Sequence, residues 1–385
     1  APSAEEAPGL LAAMHNDAAF MPAGTAVKTR PSRPAAEAPP DDADGDTGDD
    51  NASDSEVLQS SGSMAIATLL SRLTGFLRNM LITASLGGAI ASAFNTANQL
   101  PNIITEIVLG AVLTSLVVPV LVRAEKEDPD HGEAFIRRLF TLSVSLLGAV
   151  TILSVILAPN LVKMALSSES KVNLAISTSF AYWLLPQIFF YGVFALLMAV
   201  LNTKNVFKPG AWAPVINNII TLTVLVLYWV LPGELDPKDH SVGIFNPHVL
   251  LLGIGTTTGV IVQALIMLPY IRKSRVSLKP LWGIDSRLKQ FGGMAAAIVV
   301  YVGISQFGYF VTSRIAASAD ALAPNIYQQA WLLLQVPYGI IGVTLLTAIM
   351  PRLSRNAADG DDKAVVEDLV MGSKMTYIAL IPIVI

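Results

Sequence analysis

The sequence contains no cysteine, which excludes a disulfide framework and any thiolate metal site. Charge is also scarce: Asp, Glu, Lys and Arg make up 14% of the residues, against about 25% in an ordinary soluble domain. Only four histidines occur (His15, His131, His240 and His248), and no two stand at metal-ligand spacing. There is no glycine-rich loop followed by lysine to cradle a nucleotide phosphate. These absences leave no catalytic residue set, no metal ligands and no cofactor motif, and they argue against an enzyme or an ATP-driven pump. Residues 1–30 also lack the basic start and apolar core of a cleavable signal peptide. The first hydrophobic helix is therefore expected to be its own targeting signal.

What is abundant is apolar. Hydrophobic residues are 53% of the 385, gathered into runs of about 20, the length that crosses about 30 Å of hydrocarbon. The reading is an all-α polytopic transmembrane bundle. Spans are expected at roughly 63–86, 90–122, 136–158, 173–201, 212–231, 247–271, 292–316 and 324–350, with a ninth starting near Lys374 and meeting Ile385 before it has crossed. The formal charge of -4 conceals a split, because residues 1–60 hold 12 Asp/Glu against three Lys/Arg. That Ala-, Pro- and Asp-rich stretch has too little apolar surface to offset ordering and is expected to be a disordered acidic tail.

Basic residues are retained on the cytoplasmic side of a membrane. Loops after spans two, four, six and eight carry 16 Lys/Arg, whereas the opposite loops carry three: Lys163, Lys171 and Lys238. This asymmetry predicts a cytoplasmic N-terminus. A weak internal repeat sets Gly110, Leu113, Pro119, Leu121 and Arg123 against Gly342, Leu345, Pro351, Leu353 and Arg355. An even number of spans lies between the copies, so both halves share one orientation, as in transporters built from parallel repeats.

Chemistry concentrates in the first two spans. Arg72 and Arg78 lie within Ser71-Arg72-Leu73-Thr74-Gly75-Phe76-Leu77-Arg78-Asn79. An arginine at the bilayer centre costs about 2.5–3.5 kcal/mol on insertion scales, so the pair is expected to face an anion or a wet cavity. The alternative is snorkelling to an interface. A six-residue separation gives about 9 Å of rise and roughly 120° of rotation, which suits a large polyanion better than a small one. In the second span Ser92, Asn95, Gln99, Asn102 and Glu106 follow steps of three and four, forming a polar stripe on one face. With Asn79 they are expected to line a water-filled wall, although amide groups in membranes also bond between helices, at about 0.6 kcal/mol each. Gln306 and Gln328 are candidates for the facing wall. Pro101 and Pro337 are candidate hinges, with static kinks as the alternative, and Pro186 and Pro214 also fall within spans. The basic loop from Arg272 to Lys289, with Trp282 inside it, reads as a topology anchor or anionic-lipid contact and not as a nucleic-acid site.

Several of these segments, in order, resemble the MurJ (MviN) lipid II flippases of the MOP exporter superfamily, most closely actinobacterial members. They are Ser71 to Asn79, Gln99-Leu100-Pro101-Asn102, Val118-Pro119-Val120-Leu121, Leu201-Asn202-Thr203-Lys204-Asn205, Ala213-Pro214-Val215-Ile216-Asn217-Asn218 and Met350-Pro351-Arg352-Leu353-Ser354. The resemblance runs from about residue 63 to the end. It implies two pseudo-symmetric six-helix lobes around a central cavity, the second incomplete here, and export of a lipid-linked peptidoglycan precursor by alternating access in the bacterial cytoplasmic membrane. On that basis the chain divides into a tail (1–60), a first lobe (61–275), a basic cytoplasmic linker (276–291) and the start of a second lobe (292–385). Arg78 first and Arg72 second are implied as contacts of the lipid II diphosphate. Asn79, Ser92, Thr105, Gly110 and Leu332 stand where members of the family usually carry charge. Expected partners are lipid II, membrane lipids, and cell-wall or division proteins met through the tail or a region beyond Ile385. Coupling to membrane potential, Na+ or H+ stays open. So do two rival readings: export of another polyprenyl-linked saccharide or a drug, and a membrane scaffold. A drug exporter would want acidic cavity residues, and Glu106 is the single intramembrane carboxylate of the first lobe.

Overall fold

The structure is a computed structural model that describes residues 48–110, 128–130, 132–167, 169–204, 206–283, 292–337 and 361–384, with isolated positions at 121, 124, 349, 353 and 356. Eleven α-helices and no strand occur among the described residues. They are α1 (Gly48–Thr105), continued by a π-helical turn (Glu106–Gly110), α2 (Glu133–Ile156), α3 (Ala158–Ala165), α4 (Leu174–Leu184), α5 (Gln187–Thr203), α6 (Lys208–Val230), α7 (Pro247–Leu265), α8 (Leu268–Lys273), α9 (Gly292–Ala319), α10 (Ala323–Pro337) and α11 (Asp362–Val384).

The apolar part of α1 and its π-turn, Ile66–Leu109, is 44 residues long. Drawn straight it would measure about 66 Å, twice a bilayer. It is broken at Gly87, whose φ of 72° and ψ of 156° are non-helical and in the region that favours glycine. The two segments fold back on each other there. Thr83 Oγ1 and Asn95 Nδ2 both reach Asn325 Oδ1, at 3.0 and 3.1 Å, whereas residues twelve apart in a straight helix are separated by about 18 Å. The first expected span and the described part of the second, to Gly110, are thus found with their boundary at Gly87, and most of residues 111–122 lie outside the described residues.

Other elements follow local chemistry. Asn173 caps α4 by accepting from the amides of Ala175 and Ile176 at 2.9 and 3.1 Å. Asn246 caps α7 by accepting from His248 N at 2.9 Å, with Pro247 in the first turn. The fourth expected span is bent by 41° between α4 and α5, at Pro186. Four helices are long and apolar enough to cross a membrane, or five with this bent pair as one span, among the described residues.

Two boundaries differ from those expected. Residues 48–60, assigned to the tail by composition, are helical and continue into α1. At the other end α11 starts at Asp362, well before Lys374. Its opening turns carry Asp362, Lys363, Glu367 and Asp368, so hydropathy registers only the later part, and Asp361 Oδ1 accepts from Ala364 N at 3.0 Å to start it. The internal repeat falls mostly outside the described residues.

The core is apolar and lies among α1, α4, α5, α6 and α7, with Ile90, Phe94, Ile176, Phe180, Leu184 and Ile188 fully buried. Phe94 and Phe180 meet edge to face at 5.2 Å and join α1 to α4. Ile152, Ile156, Val226 and Val230 point outward, as on a lipid-facing surface. Trp212 and Trp229 stand near opposite ends of α6, about 26 Å apart at helical rise, a spacing that suits two aromatic belts. The linker after α8 lies along α2: Arg137 Nε donates to Lys279 O at 2.9 Å, and Leu281 N donates to Thr141 Oγ1 at 2.9 Å.

Candidate functional site

Arg78 is drawn into the front bundle, the helices α1 to α8 that precede the linker. Its Nη1 donates to Asn218 Oδ1 on α6 at 3.1 Å, and Tyr191 of α5 lies within electrostatic reach. Asn218 is itself fixed, since its Nδ2 donates to Ser71 O and Thr74 Oγ1, both at 3.0 Å. The Arg78 Nε is buried with no hydrogen-bond partner. A buried cationic donor left unused is costly in an apolar surround, and such donors mark places where a ligand or water completes the network. Arg72, two turns away, is exposed, so the two arginines present to different surroundings. Sequence reasoning did not single out Asn218 for a role. Its signal was the Asn217-Asn218 pair three residues beyond Pro214.

The polar stripe divides along its length. Ser92 is fully buried, back-bonds to Gly88 O at 2.9 Å and accepts from Asn325 N at 3.2 Å. Asn95 donates to Asn325 Oδ1. Gln99 and Asn102 are half-buried, and Asn102 donates to Asn98 O at 3.1 Å. Glu106, exposed at the start of the π-turn, accepts from Gln306 Nε2 of α9 at 2.7 Å. Asn79 is buried and donates to Gly75 O at 3.0 Å, while its own carbonyl accepts from Gln329 Nε2 of α10 at 3.0 Å. Gln329 also reaches Thr83 Oγ1 at 2.8 Å.

Together these bonds form a polar seam between α1 and the later helices α9 and α10. Asn325, 3% exposed, is its node, and neither Asn325 nor Thr83 stood out in the sequence. Gln328 borders a narrow cleft at the seam with Asn95, Tyr309, Ser313 and Tyr327. Pro101 is buried within an unbroken stretch of α1, and Pro337 is the last residue of α10; the backbone breaks are at Gly87 and Pro186.

Comparison with known proteins puts this arrangement in context. The profile of the family described as lipid II flippase MurJ matches residues 82–385. A probable lipid II flippase MurJ of Buchnera aphidicola subsp. Baizongia pistaciae is 24% identical over 345 residues, covering 86% of this chain and 63% of the relative. One from Vibrio cholerae is 25% identical, covering 85% and 62%. The lipid II flippase MurJ of Burkholderia cenocepacia is 26% identical, covering 82% and 60%. The chain therefore spans about three fifths of the length of these relatives. A solved structure of a lipid II flippase MurJ in an inward closed conformation superposes with a TM-score of 0.60 at 20% identity, over 81% of this chain and 63% of that one. That likeness establishes the helical membrane fold, and the profile match over most of the sequence means that the chain belongs to the MurJ lipid II flippase family.

Proposed function

We propose that this chain forms the front part of a multi-pass flippase that carries lipid II from the inner to the outer leaflet of the bacterial cytoplasmic membrane, supplying peptidoglycan synthesis. The observation that carries the reading is Arg78, a cation held within the bundle by Asn218 with its Nε unused. A diphosphate offers the acceptors that such a guanidinium lacks, and attraction between opposite charges strengthens as the effective dielectric falls. Arg72 then serves as a second contact nearer the open side, and Asn95, Gln99 and Gln328 supply neutral donors.

The route is alternating access between two lobes, residues 61–275 and 292 onward. With the basic loops and the N-terminus cytoplasmic, the Gly87 turn and the α9–α10 connection lie on the outer side. The Asn325 node is then a closed outer gate, and the seam must part for substrate to leave. The names of the relatives, which specify lipid II, support the substrate. Basic residues at the cytoplasmic end of α8 and α2, beside Trp282, 69% exposed, suit contact with anionic lipid headgroups. The acidic tail and whatever follows Ile385 are the proposed contacts for cell-wall proteins. Membrane potential, Na+ or H+ would drive the cycle.

The test is outer-leaflet exposure of lipid II in cells that depend on the full-length protein. Arg78→Ala at matched expression is expected to reduce exposure at least tenfold and Arg72→Ala by less. Normal exposure after depletion of the protein would remove the lipid II reading in favour of another substrate or a scaffold.

A further inference from the structure

The outer side of the molecule carries a second contact between the two proposed lobes, and it is charged. Helix α9 ends at Ala319 without a basic residue in its last turn. Its final carbonyls have no intrahelical partners and form the negative end of the helix dipole. The loop that follows α3 supplies what α9 lacks. Lys171 N donates to Ala317 O at 2.9 Å, and Lys171 Nζ donates to Ala319 O at 2.7 Å. Ser170 Oγ adds a longer contact to Ala317 O at 3.5 Å. Ala317 is fully buried against the front bundle, so the end of α9 is seated as well as capped.

This is a helix C-cap provided in trans, by a lysine of the front bundle to a helix of the rear one. The same end of the molecule holds the Asn325 node, where the bonding groups are neutral amides and hydroxyls. Lys171 differs in being an exposed cation on an exposed carbonyl, so water can replace it quickly on either side when the lobes separate. Among the three basic residues of the outer loops it is also the one whose ammonium is recorded on a partner across the proposed lobe boundary.

We infer that Lys171 is the latch of the outer gate: it holds the carboxyl end of α9 and so biases the protein toward the state closed on the outside. This rests on the alternating-access reading above and adds the residue that sets its resting balance. A cation at a helix C-terminus shifts an equilibrium by about two- to fivefold. That bias keeps the gate shut at rest and is small enough for substrate binding to overcome.

The absence of cysteine from this sequence suits a spin-label test. Labels go at His240→Cys, in the exposed loop between α6 and α7, and Ser318→Cys, exposed at the end of α9. The host is the full-length protein in lipid nanodiscs, with any cysteine outside these residues replaced. Lys171→Met is expected to raise the population at the longer distance about two- to fivefold, and Lys171→Arg to leave it near wild type. High salt should move the wild type toward Lys171→Met, because exposed charges are screened. Size-exclusion profiles and unchanged thermal midpoints exclude misfolding as the cause. Identical distributions for Lys171→Met and wild type would overturn the latch, even where the wild type switches between two distances. Failure of lipid II export assays would remove the substrate reading and leave a Lys171→Met shift standing.

Discussion

The interior of the front bundle and the seam along α1 are both contacts between helices, yet they are built differently. Inside the bundle, backbones approach closely enough that glycine is required. A Cβ added at Gly253 would lie 2.6 Å from Trp183 Cβ, and one at Gly255 would lie 2.5 Å from Val224 Cγ2. Polar groups in the bundle close on each other within α4 to α7: Gln187 Nε2 on Thr257 Oγ1 at 3.1 Å, Thr257 Oγ1 on Trp183 O at 2.7 Å, and Asn217 Nδ2 on Gln263 Oε1 at 2.9 Å. At the seam, beside the seated end of α9 at Ala317, the polar contact is a handful of hydrogen bonds from Asn325, Gln329 and Gln306. The tight approach there, Gly88 to Leu322, involves the flexible end of a side chain, with Leu322 Cδ2 2.8 Å from an added Cβ. A contact meant to be permanent gains from close packing, which is lost entirely on separation. One meant to part is better made of groups that water can satisfy afterwards, because the net value of each such bond is small.

The largest effect that would test this difference is in the bundle. Gly253→Val forces the α4 and α7 backbones apart, and overpacking of this kind costs about 1–3 kcal/mol. Thermal unfolding of the purified protein should show a clear fall in midpoint, with no preference for one gate state in the molecules that remain folded. Asn325→Ala is expected to act the other way round. It removes the acceptor shared by Thr83 and Asn95, two interhelical bonds worth about 0.6 kcal/mol each in a membrane. Stability should hardly change, while a cysteine placed at the buried Thr96 should react roughly five- to tenfold faster with an impermeant reagent added from outside. If Asn325→Ala lowers the midpoint as far as Gly253→Val without exposing Thr96, the seam is structural packing and the comparison fails.

The front bundle was legible in the sequence because its signals are local. Apolar run length gave the spans and the gap between the first two, Pro186 stood inside the fourth, and a three-four spacing gave the polar stripe from Ser92 to Glu106. The partners of that stripe were not legible. Thr83 and Asn325 are 242 residues apart, and no periodicity in α10 distinguishes Asn325 as the residue that receives two donors. Arg78 was evident as an intramembrane cation, yet its anchor, Asn218, lies on another helix and appeared only as part of a motif. Lys171 entered the sequence reading merely as one basic residue to be counted in an outer loop. Its role depends on where α9 ends, which is a tertiary fact. The boundary at residue 60 moved for a different reason: composition measures whether a segment can bury surface, whereas a helix once nucleated can propagate into polar sequence at one backbone bond per residue.

The smallest effect concerns the fixed side of the proposed outer gate. The loop between α6 and α7 is tied to the front bundle through Asn173, whose Nδ2 donates to Pro237 O at 3.0 Å and to Asp239 O at 2.8 Å. The Asp239 carboxylate makes a separate turn, accepting from Ser241 Oγ at 2.6 Å and Ser241 N at 2.7 Å, and these bonds hold its pKa below the ordinary aspartate value. A carboxyl with a lowered folded pKa contributes stability above its unfolded pKa and loses it as pH falls through the folded one. Ser241→Ala should therefore raise the Asp239 pKa toward the ordinary value in a carboxyl-carbon NMR titration, by only part of the shift because the Ser241 amide remains. The tie to Asn173 uses the main-chain oxygen of Asp239 and is indifferent to protonation of the side chain. Acidification through the Asp239 titration should accordingly leave the distance between labels at His240→Cys and Ser318→Cys unchanged. A distance that follows the titration would mean that this loop moves with the gate, and the division between a fixed bundle and a separable seam would have to be redrawn to include it.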